Sequence, residues 1–193
     1  MNLKMNLKMN LKMNLKMKKQ IALSLIALAF IGCSESDDTV ETKNAIATIT
    51  AKSSSNTGGT VEFSETNGIV KMTINVSGLT PGNQHAIHIH AVGDCSAADG
   101  SSAGGHWNPT NVSHGVWGGG APFHLGDIGN IVADANGNAT FTRETDLWCI
   151  DCVDENKKIV GKSIILHAGF DDLSGQPSGN AGARIGCGEI ILE

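Results

Sequence analysis

Residues 60–77 read Thr-Val-Glu-Phe-Ser-Glu-Thr-Asn-Gly-Ile-Val-Lys-Met-Thr-Ile-Asn-Val-Ser, and this stretch decides the fold class. Apolar and polar residues alternate before and after Asn67-Gly68, which is the period of a β-strand with one buried face. An Asn-Gly pair between two such runs favours a tight hairpin turn. The stretch therefore predicts two antiparallel strands, over residues 60–64 and 69–77.

The same strand pattern recurs on both sides of this hairpin. It covers residues 45–50, 85–90, 131–133, 139–143, 162–167 and 187–192. No long stretch after residue 45 has apolar residues at helical spacing. Two long stretches, residues 93–129 and 170–182, lack the pattern, and loops of that length in a compact domain are either disordered or functional. We predict an all-β fold, an eight-stranded antiparallel barrel or sandwich with two long functional loops.

The first 32 residues have the features of a leader. Residues 1–16 are four copies of Met-Asn-Leu-Lys, a unit too short to bury a core, so we take Met17 as the working start. Lys18 and Lys19 precede an apolar run over residues 21–31. This is the pattern of a signal peptide, and the run is too short to span a bilayer.

Gly32-Cys33 at the end of this run resembles a bacterial lipobox, in which the cysteine is lipidated, although Phe30 stands where Leu is usual. The alternative is an ordinary signal peptide followed by an incidental cysteine. We predict a leader at residues 1–32, a polar tether at 33–44 and one domain at 45–193. The protein would be exported and anchored through a lipid on Cys33 in a bacterial cell envelope, facing the periplasm or the cell surface.

Without the leader the chain is strongly acidic. The full chain has 14 Lys and Arg against 19 Asp and Glu, and six of the lysines lie in residues 1–32. The mature chain keeps 8 basic residues and has a formal charge of −11. This charge argues against nucleic-acid binding and against adsorption to anionic headgroups. A lipid anchor would therefore be the only link to a membrane.

Histidines mark the candidate site. His88 and His90 are two residues apart on a predicted strand, so both side chains lie on one face and can converge on one ion. His167 ends another strand and can complete a histidine-rich copper site. The first long loop adds the ligand types of a closed zinc site: His106, His114, His124 and Asp127. A bound metal ion would hold such a loop in shape. His85 falls on the opposite strand face, and we expect it to form structural hydrogen bonds.

Several stretches in order along residues 45–193 together resemble the copper/zinc superoxide dismutase family. They are Ala-Ile-His-Ile-His-Ala-Val-Gly-Asp at 86–94, Gly-His-Trp-Asn-Pro at 105–109, His-Leu-Gly-Asp at 124–127, Leu-His at 166–167 with Asp-Asp-Leu at 171–173, and Gly-Asn-Ala-Gly-Ala-Arg-Ile-Gly-Cys-Gly at 179–188. The resemblance implies a Greek-key barrel, a zinc loop (residues 93–129) and an electrostatic loop (residues 168–183).

The resemblance also implies a role for each site residue. Copper would be held by His88, His90, His106 and His167, and zinc by His106, His114, His124 and Asp127. His106 would bridge the two metals, and Asp171 would orient one histidine of each set. Arg184 would lie beside copper and, with His106, would act directly on the substrate. A disulfide would join Cys95 and Cys187, and a homodimer would be compatible with the family.

Cys149 and Cys152 have no counterpart in this resemblance. A Cys-x-x-Cys pair occurs in redox catalysis, in half of a metal site or as a local disulfide. The sequence around it has no thioredoxin-like pattern and no second free cysteine pair. We therefore predict a local disulfide between Cys149 and Cys152.

The implied activity is the disproportionation of superoxide to oxygen and hydrogen peroxide by copper cycling between Cu(II) and Cu(I), as antioxidant defence in the cell envelope. The alternative is a non-catalytic copper/zinc-binding or metal-delivery module on the same fold. A third hypothesis is an envelope domain in which the metals only staple loops. The electrostatic loop has no Lys or Arg, so guidance of the anion would depend on Lys157, Lys158 or Lys162.

Overall fold

The computed structural model describes residues 40–193, and eight β-strands account for its regular structure apart from one 3-10 turn at Ser101–Ala103. In chain order the strands are β1 (Thr42–Ala51), β2 (Gly58–Thr66), β3 (Ile69–Ser77), β4 (Gln84–His90), β5 (Gly129–Val132), β6 (Ala139–Thr145), β7 (Ser163–His167) and β8 (Arg184–Leu192). Among these residues no helix is long and apolar enough to cross a membrane.

All strand pairs are antiparallel, in the order β5-β4-β7-β8-β1-β2-β3-β6. The two end strands, β5 and β6, lie next to each other, so the sheet forms a nearly closed barrel. Strands β4, β5 and β6 follow one another in the chain, and β7 returns to lie beside β4, which is a Greek-key connection. The predicted fold class is confirmed.

The hairpin between β2 and β3 has the predicted turn. Thr66 pairs with Ile69, and Asn67 and Gly68 between them have φ angles of 52° and 75°. Positive φ at both central residues gives a turn whose twist matches that of the strands. The alternate residues Val70, Met72, Ile74 and Val76 of β3 are buried in the barrel core.

Strand β4 is buried on both faces because the barrel covers one and the loops cover the other. Ile87 and Ile89 pack in the hydrophobic core. His88 and His90, on the opposite face, are also buried. Two loops cover that outer face, residues 91–128 after β4 and residues 168–183 after β7. The zinc loop and the electrostatic loop named above correspond to these segments.

The strand predictions differ from the structure only at strand ends. Strand β1 begins at Thr42, inside the segment expected to be a polar tether, because residues 42–44 pair with residues 64–66 of β2. Strand β8 begins at Arg184 rather than at Cys187. The predicted leader and the lipidated Cys33 lie outside the described residues.

Candidate metal centre

The six candidate histidines and Asp127 lie together in two groups that share one residue. The first set is His88, His90, His106 and His167, and the second set is His106, His114, His124 and Asp127. Within each set one ligand atom per residue lies within 4.8 Å of the others. Strand pairing explains the first set, because β4 and β7 are neighbours and the chain at His106 forms a bridge to His90.

Three histidines of the first set each direct one ring nitrogen to a fixed oxygen acceptor. The pairs are His88 Nε2 with Asp171 Oδ2 (2.9 Å), His90 Nδ1 with Gly104 O (2.9 Å) and His167 Nδ1 with Gly182 O (3.1 Å). Carboxylate and carbonyl oxygens only accept, so these nitrogens carry the proton and the other nitrogen of each neutral ring has a lone pair. Those other nitrogens, with His106 Nε2, are buried and have no hydrogen-bond partner within residues 40–193.

Burial keeps three histidines of the first set neutral: His88, His90 and His167. It lowers the pKa of His88 to about 4 and the pKa of His167 to about 3. Burial also lowers the pKa of His90 well below its ordinary value. Metal ions bind neutral imidazole, so at pH 7 no proton competes for these ligand atoms. Four convergent imidazole nitrogens fit copper, for which imidazole is a suitable ligand.

Asp127 lies at the centre of the second set. Its Oδ1 atom is 2.8 Å from Nδ1 of His106 and 3.0 Å from Nδ1 of both His114 and His124. Its Oδ2 atom accepts hydrogen bonds from the backbone N–H groups of Gly115 (3.1 Å) and His124 (2.8 Å). Burial opposes ionisation of this carboxyl, but hydrogen bonds with His106 and His114, together with those two backbone N–H groups, hold the pKa of Asp127 well below its usual range.

The contact between His124 and Asp127 favours a cation at this place. His124 Nε2 donates to the carbonyl oxygen of Val112 at 3.0 Å, so its Nδ1 has a lone pair that faces the carboxylate. Burial lowers the pKa of His124, which disfavours a second proton on the ring. Nδ1 of His124 therefore lies 3.0 Å from Oδ1 of Asp127 without forming a hydrogen bond. A cation between these atoms would remove the repulsion.

Zinc is the cation that this set fits. Three imidazole nitrogens and one carboxylate oxygen are a usual ligand set for a closed zinc site. A tetrahedron with bonds of about 2.0–2.1 Å places its ligand atoms roughly 3.3 Å apart. The contacts of 2.8 Å and 3.0 Å around Asp127 are close to that spacing.

Asp171 connects the two sets. Its Oδ2 atom accepts from His88 Nε2 and its Oδ1 atom from His114 Nε2, both at 2.9 Å. The backbone N–H of Asp171 donates to Asn130 Oδ1 at 2.7 Å, and that of Leu173 donates to Asp171 Oδ1 at 2.7 Å. One fixed carboxylate therefore sets the ring orientation of a histidine in each set.

Arg184 is positioned by two carbonyl groups of the zinc loop. Its two terminal nitrogens donate to the carbonyl oxygens of Gly100 and Gly104, each at 2.7 Å. The Gly104 oxygen also accepts from His90, so one carbonyl positions both the guanidinium and a histidine. Burial lowers the pKa of Arg184 from a high starting value, and arginine stays charged. The cleft beside it is lined by three first-set histidines: His90, His106 and His167.

A lysine close to the segment that holds Arg184 was not predicted. The lysines expected there have other partners: Lys158 pairs with Glu155, Lys157 donates to a backbone carbonyl and Lys162 lies over Trp107. The side chain of Lys52 instead lies beside Gly100, as the side chain of Arg184 does. Its ammonium donates to the carbonyl oxygen of Cys95. The sequence around Lys52 does not indicate that it lies near Arg184. The two residues are close because the end of β1 pairs with the start of β8.

His85 forms the structural hydrogen bonds that the alternation predicts. Its Nδ1 donates to the carbonyl oxygen of His167 at 2.9 Å, and its Nε2 accepts from the backbone N–H of Thr80 at 3.2 Å. Both ring nitrogens are therefore used within the protein.

Two disulfides flank the site. Cys95–Cys187 joins the zinc loop to β8 across 92 residues, and Cys149–Cys152 closes a short loop between β6 and β7. Beside the second disulfide, Trp148 donates its indole N–H to the carbonyl oxygen of Leu125 at 2.9 Å. The segment that contains Cys149 is therefore hydrogen-bonded to the zinc loop, and no sequence pattern indicates this contact.

Comparison with known proteins decides the family. The model of the copper/zinc superoxide dismutase (SODC) family matches residues 57–190. A superoxide dismutase [Cu-Zn] of Paramecium bursaria Chlorella virus 1 is 38% identical over 145 residues, which is 68% of this chain and 71% of the relative. The chain belongs to the copper/zinc superoxide dismutase family. The family resemblance noted in the sequence is thus confirmed.

Two further relatives agree with this assignment. An extracellular superoxide dismutase [Cu-Zn] of Caenorhabditis elegans is 36% identical, over 68% of this chain and 60% of the relative. A double mutant of a SOD-like protein from Bacillus subtilis has the same fold, with a TM-score of 0.66 and 30% identity over 76% of this chain and 96% of that chain.

Proposed function

We propose that this protein disproportionates superoxide, so that two superoxide anions and two protons give one molecule of oxygen and one of hydrogen peroxide. Family membership supports the reaction. The observation that carries the proposal is the pair of convergent ligand sets that share His106, with Arg184 on the wall of the adjoining cleft. Copper would be held by the first set and zinc by the second.

Each bound metal would supply a distinct chemistry: copper a one-electron redox couple, and zinc a fixed positive charge beside His106. The protein supplies the remaining functions. Arg184 attracts the anion and orients it, because its two bonds to Gly100 and Gly104 fix the guanidinium and leave other N–H donors free for the cleft. Fixed donors need no reorganisation when the charge on the substrate changes.

His106 is the residue that we assign to proton delivery. Its Nδ1 faces Asp127, and its Nε2 lines the cleft without a hydrogen-bond partner in the described part of the chain. Nε2 can therefore hold a proton close to Arg184 and donate it to the peroxide that forms there. Asp127 and the zinc ligands keep the ring in place during this transfer.

We also propose export to a bacterial cell envelope. Support comes from the two disulfides, which persist in oxidising compartments, and from the similarity to an extracellular relative. A lipid on Cys33 is supported by the Gly32-Cys33 motif and the apolar run before it, and a homodimer by the family resemblance. We place the domain at residues 45–193, after a leader at residues 1–32 and a tether at residues 33–44.

The metal-delivery alternative has less support. Soft ligands are expected in a protein that hands on copper, whereas five of the six methionines lie in residues 1–17 and four cysteines are in disulfides. The ligand sets consist only of histidines and Asp127.

The deciding experiment measures superoxide decay with the copper- and zinc-loaded protein and with Arg184→Ala at the same metal content. We expect catalysis by the wild type and a fall of about 100-fold in kcat/KM for the variant, the usual loss when a fixed donor to an anion is removed. No catalysis by the loaded wild type would refute the proposed activity. Equal rates would refute only the assigned role of Arg184.

A further inference from the structure

Gln176 links the electrostatic loop to the zinc loop through a single residue, His114. Its side-chain Oε1 accepts from the backbone N–H of His114, and its Nε2 donates to the backbone carbonyl of His114, both at 2.9 Å. The amide thus pairs with both main-chain groups of one residue, as a neighbouring strand would. No sequence motif indicates a role for Gln176.

The backbone of His114 has no other hydrogen-bond partner among residues 40–193. His114 is buried, with 3% of its surface exposed, so water has little access to its main-chain groups. Buried backbone groups without partners cost free energy, so loss of the Gln176 amide would favour movement of His114 out of its place.

The side chain of His114 is held by the same loop. Its Nε2 contacts Oδ1 of Asp171 at 2.9 Å, while its Nδ1 faces Asp127. Gly179 packs over this contact so tightly that a Cβ there would lie 1.9 Å from Asp171 Oδ1 and 2.7 Å from His114 Nε2. The electrostatic loop therefore fixes His114 at both its backbone and its ring.

We propose that Gln176 is a positioning residue that controls how long zinc stays bound, by holding His114 against the electrostatic loop. The inference rests on the proposed function only in taking the second set as the zinc site. His106 and Asp127 are held by the barrel and by the zinc loop itself, whereas His114 depends on the other loop. Loss of zinc would then begin when the electrostatic loop separates from His114.

The role of Gln176 differs from that of a general loop stabiliser in a measurable way. Residues that orient metal ligands typically change metal affinity 10- to 100-fold when they are replaced. Gln176 is itself exposed, so its replacement leaves the barrel core unchanged. The Gln176 amide also donates to the carbonyl oxygen of Ser174 at 3.2 Å, and Gln176 lines the cleft beside Arg184. Zinc release and the His114 amide are therefore the readouts, rather than activity.

The test uses the full-length, copper- and zinc-loaded protein and three variants. Gln176→Met keeps the length of the side chain and removes both hydrogen bonds. Gln176→Glu keeps the acceptor for His114 N–H and removes the donor for its carbonyl. Gln84→Ala is the matched control, because Gln84 is an exposed glutamine on β4 whose side chain has no hydrogen bond in the structure.

Three readouts are measured: the rate of zinc transfer to a chromogenic chelator, the visible spectrum of cobalt(II) at the zinc site, and hydrogen exchange of the His114 amide. We expect zinc release to be at least 10-fold faster in Gln176→Met, less affected in Gln176→Glu and unchanged in Gln84→Ala. The His114 amide should lose protection in Gln176→Met and keep it in Gln176→Glu, and the cobalt spectrum should broaden in the Met variant.

Zinc release within twofold of the wild type in both Gln176 variants would overturn the inference. If Gln176→Met does not fold, the rate of zinc release from Gln176→Glu decides the question. This variant keeps one of the two hydrogen bonds to His114 and the size of the side chain. A wild type that binds zinc without destroying superoxide would refute the proposed function, but it would not contradict the role assigned to Gln176. If the wild type is fully active and the Gln176 variants release zinc as slowly as the wild type, only the role assigned to Gln176 is refuted.

Discussion

The Nε2–H of His88 donates to Oδ2 of Asp171 at 2.9 Å, and both side chains are fully buried. Burial opposes ionisation of Asp171, but its hydrogen bonds with His114 and His88 hold its pKa well below the usual range. A permanent anion therefore fixes the tautomer of His88, with its free nitrogen facing the first set. The family resemblance implied an orienting role for Asp171, and the contact has a direct consequence for metal binding.

Asp171→Asn should weaken binding of both metals about 10- to 100-fold, because the amide group would place a donor against one imidazole N–H. The measurement is competition with chelators of known affinity, for copper and zinc separately. Asp146→Asn makes the same charge change at an exposed position and should not alter binding. Unchanged affinities in Asp171→Asn would mean that the carboxylate does not orient the ligands.

Lys52 is predicted to speed the arrival of superoxide at Arg184. The acidic surface repels the anion at long range, so the wild-type rate should stay flat or rise as salt screens the repulsion. In Lys52→Met we expect a rate several-fold lower at low ionic strength, with a gap that closes as salt is added.

Superoxide decay measured from about 10 mM to 300 mM salt, where the Debye length falls from about 30 Å to well under 10 Å, checks this prediction. Lys71→Met on β3 is the control, because it removes the same charge from an exposed position outside the cleft. A steep fall of the wild-type rate with salt would show that attraction dominates. Parallel curves for wild type and Lys52→Met would remove Lys52 from the model of substrate guidance.

The two disulfides should differ in their contribution to stability. The chain-entropy model gives about 4–5 kcal/mol for a loop the size of that closed by Cys95–Cys187 and about 2 kcal/mol for a loop like that of Cys149–Cys152. The loop sizes follow from sequence separations of 92 and 3. Urea unfolding of the two double Cys→Ser variants, with metals removed, measures both values.

The Cys95–Cys187 variant should also lose activity when metals are restored, because this bond ties down the segment whose Gly100 and Gly104 carbonyls hold Arg184. The Cys149–Cys152 variant should keep more of its activity. Equal losses of stability in the two variants would show that loop entropy is not the main contribution.

The metal-free protein should lose stability as the pH falls from about 6.5, the ordinary histidine pKa, towards 4. In the folded state the pKa of His88 is lowered to about 4 and that of His167 to about 3. Between these values and 6.5 the unfolded chain binds more protons than the folded one, so the free energy of unfolding rises with pH, by up to roughly 1.4 kcal/mol per pH unit for each histidine.

His114 acts in the opposite direction. Burial would lower its pKa, but the carboxylates of Asp127 and Asp171 raise the pKa of His114 to about 9. Its contribution is fully present below pH 6.5 and is lost as the pH rises towards 9. Urea unfolding of the metal-free protein should therefore show maximal stability close to pH 6.5. A flat profile between pH 4 and 6.5 would contradict the burial of uncharged histidines.

The hairpin and the His-x-His strand could be predicted because their signals are local. The period of two in residues 69–77 fixes which side chains are buried, and the same period places His88 and His90 on one face. The start of β1 at Thr42 was missed because pairing with β2, rather than local pattern, extends the strand.

Residue type and spacing along the chain were enough to predict the fold class, the family and the two candidate ligand sets. The surroundings of these candidate ligands depend on tertiary contacts: the carbonyls of Gly100 and Gly104 on Arg184, Lys52 beside Gly100, and the amide of Gln176 on His114. These contacts join residues that are 62 or more positions apart or belong to different strands. Such pairs come into contact only when the barrel closes and the two loops pack over β4, so a local sequence pattern does not predict them.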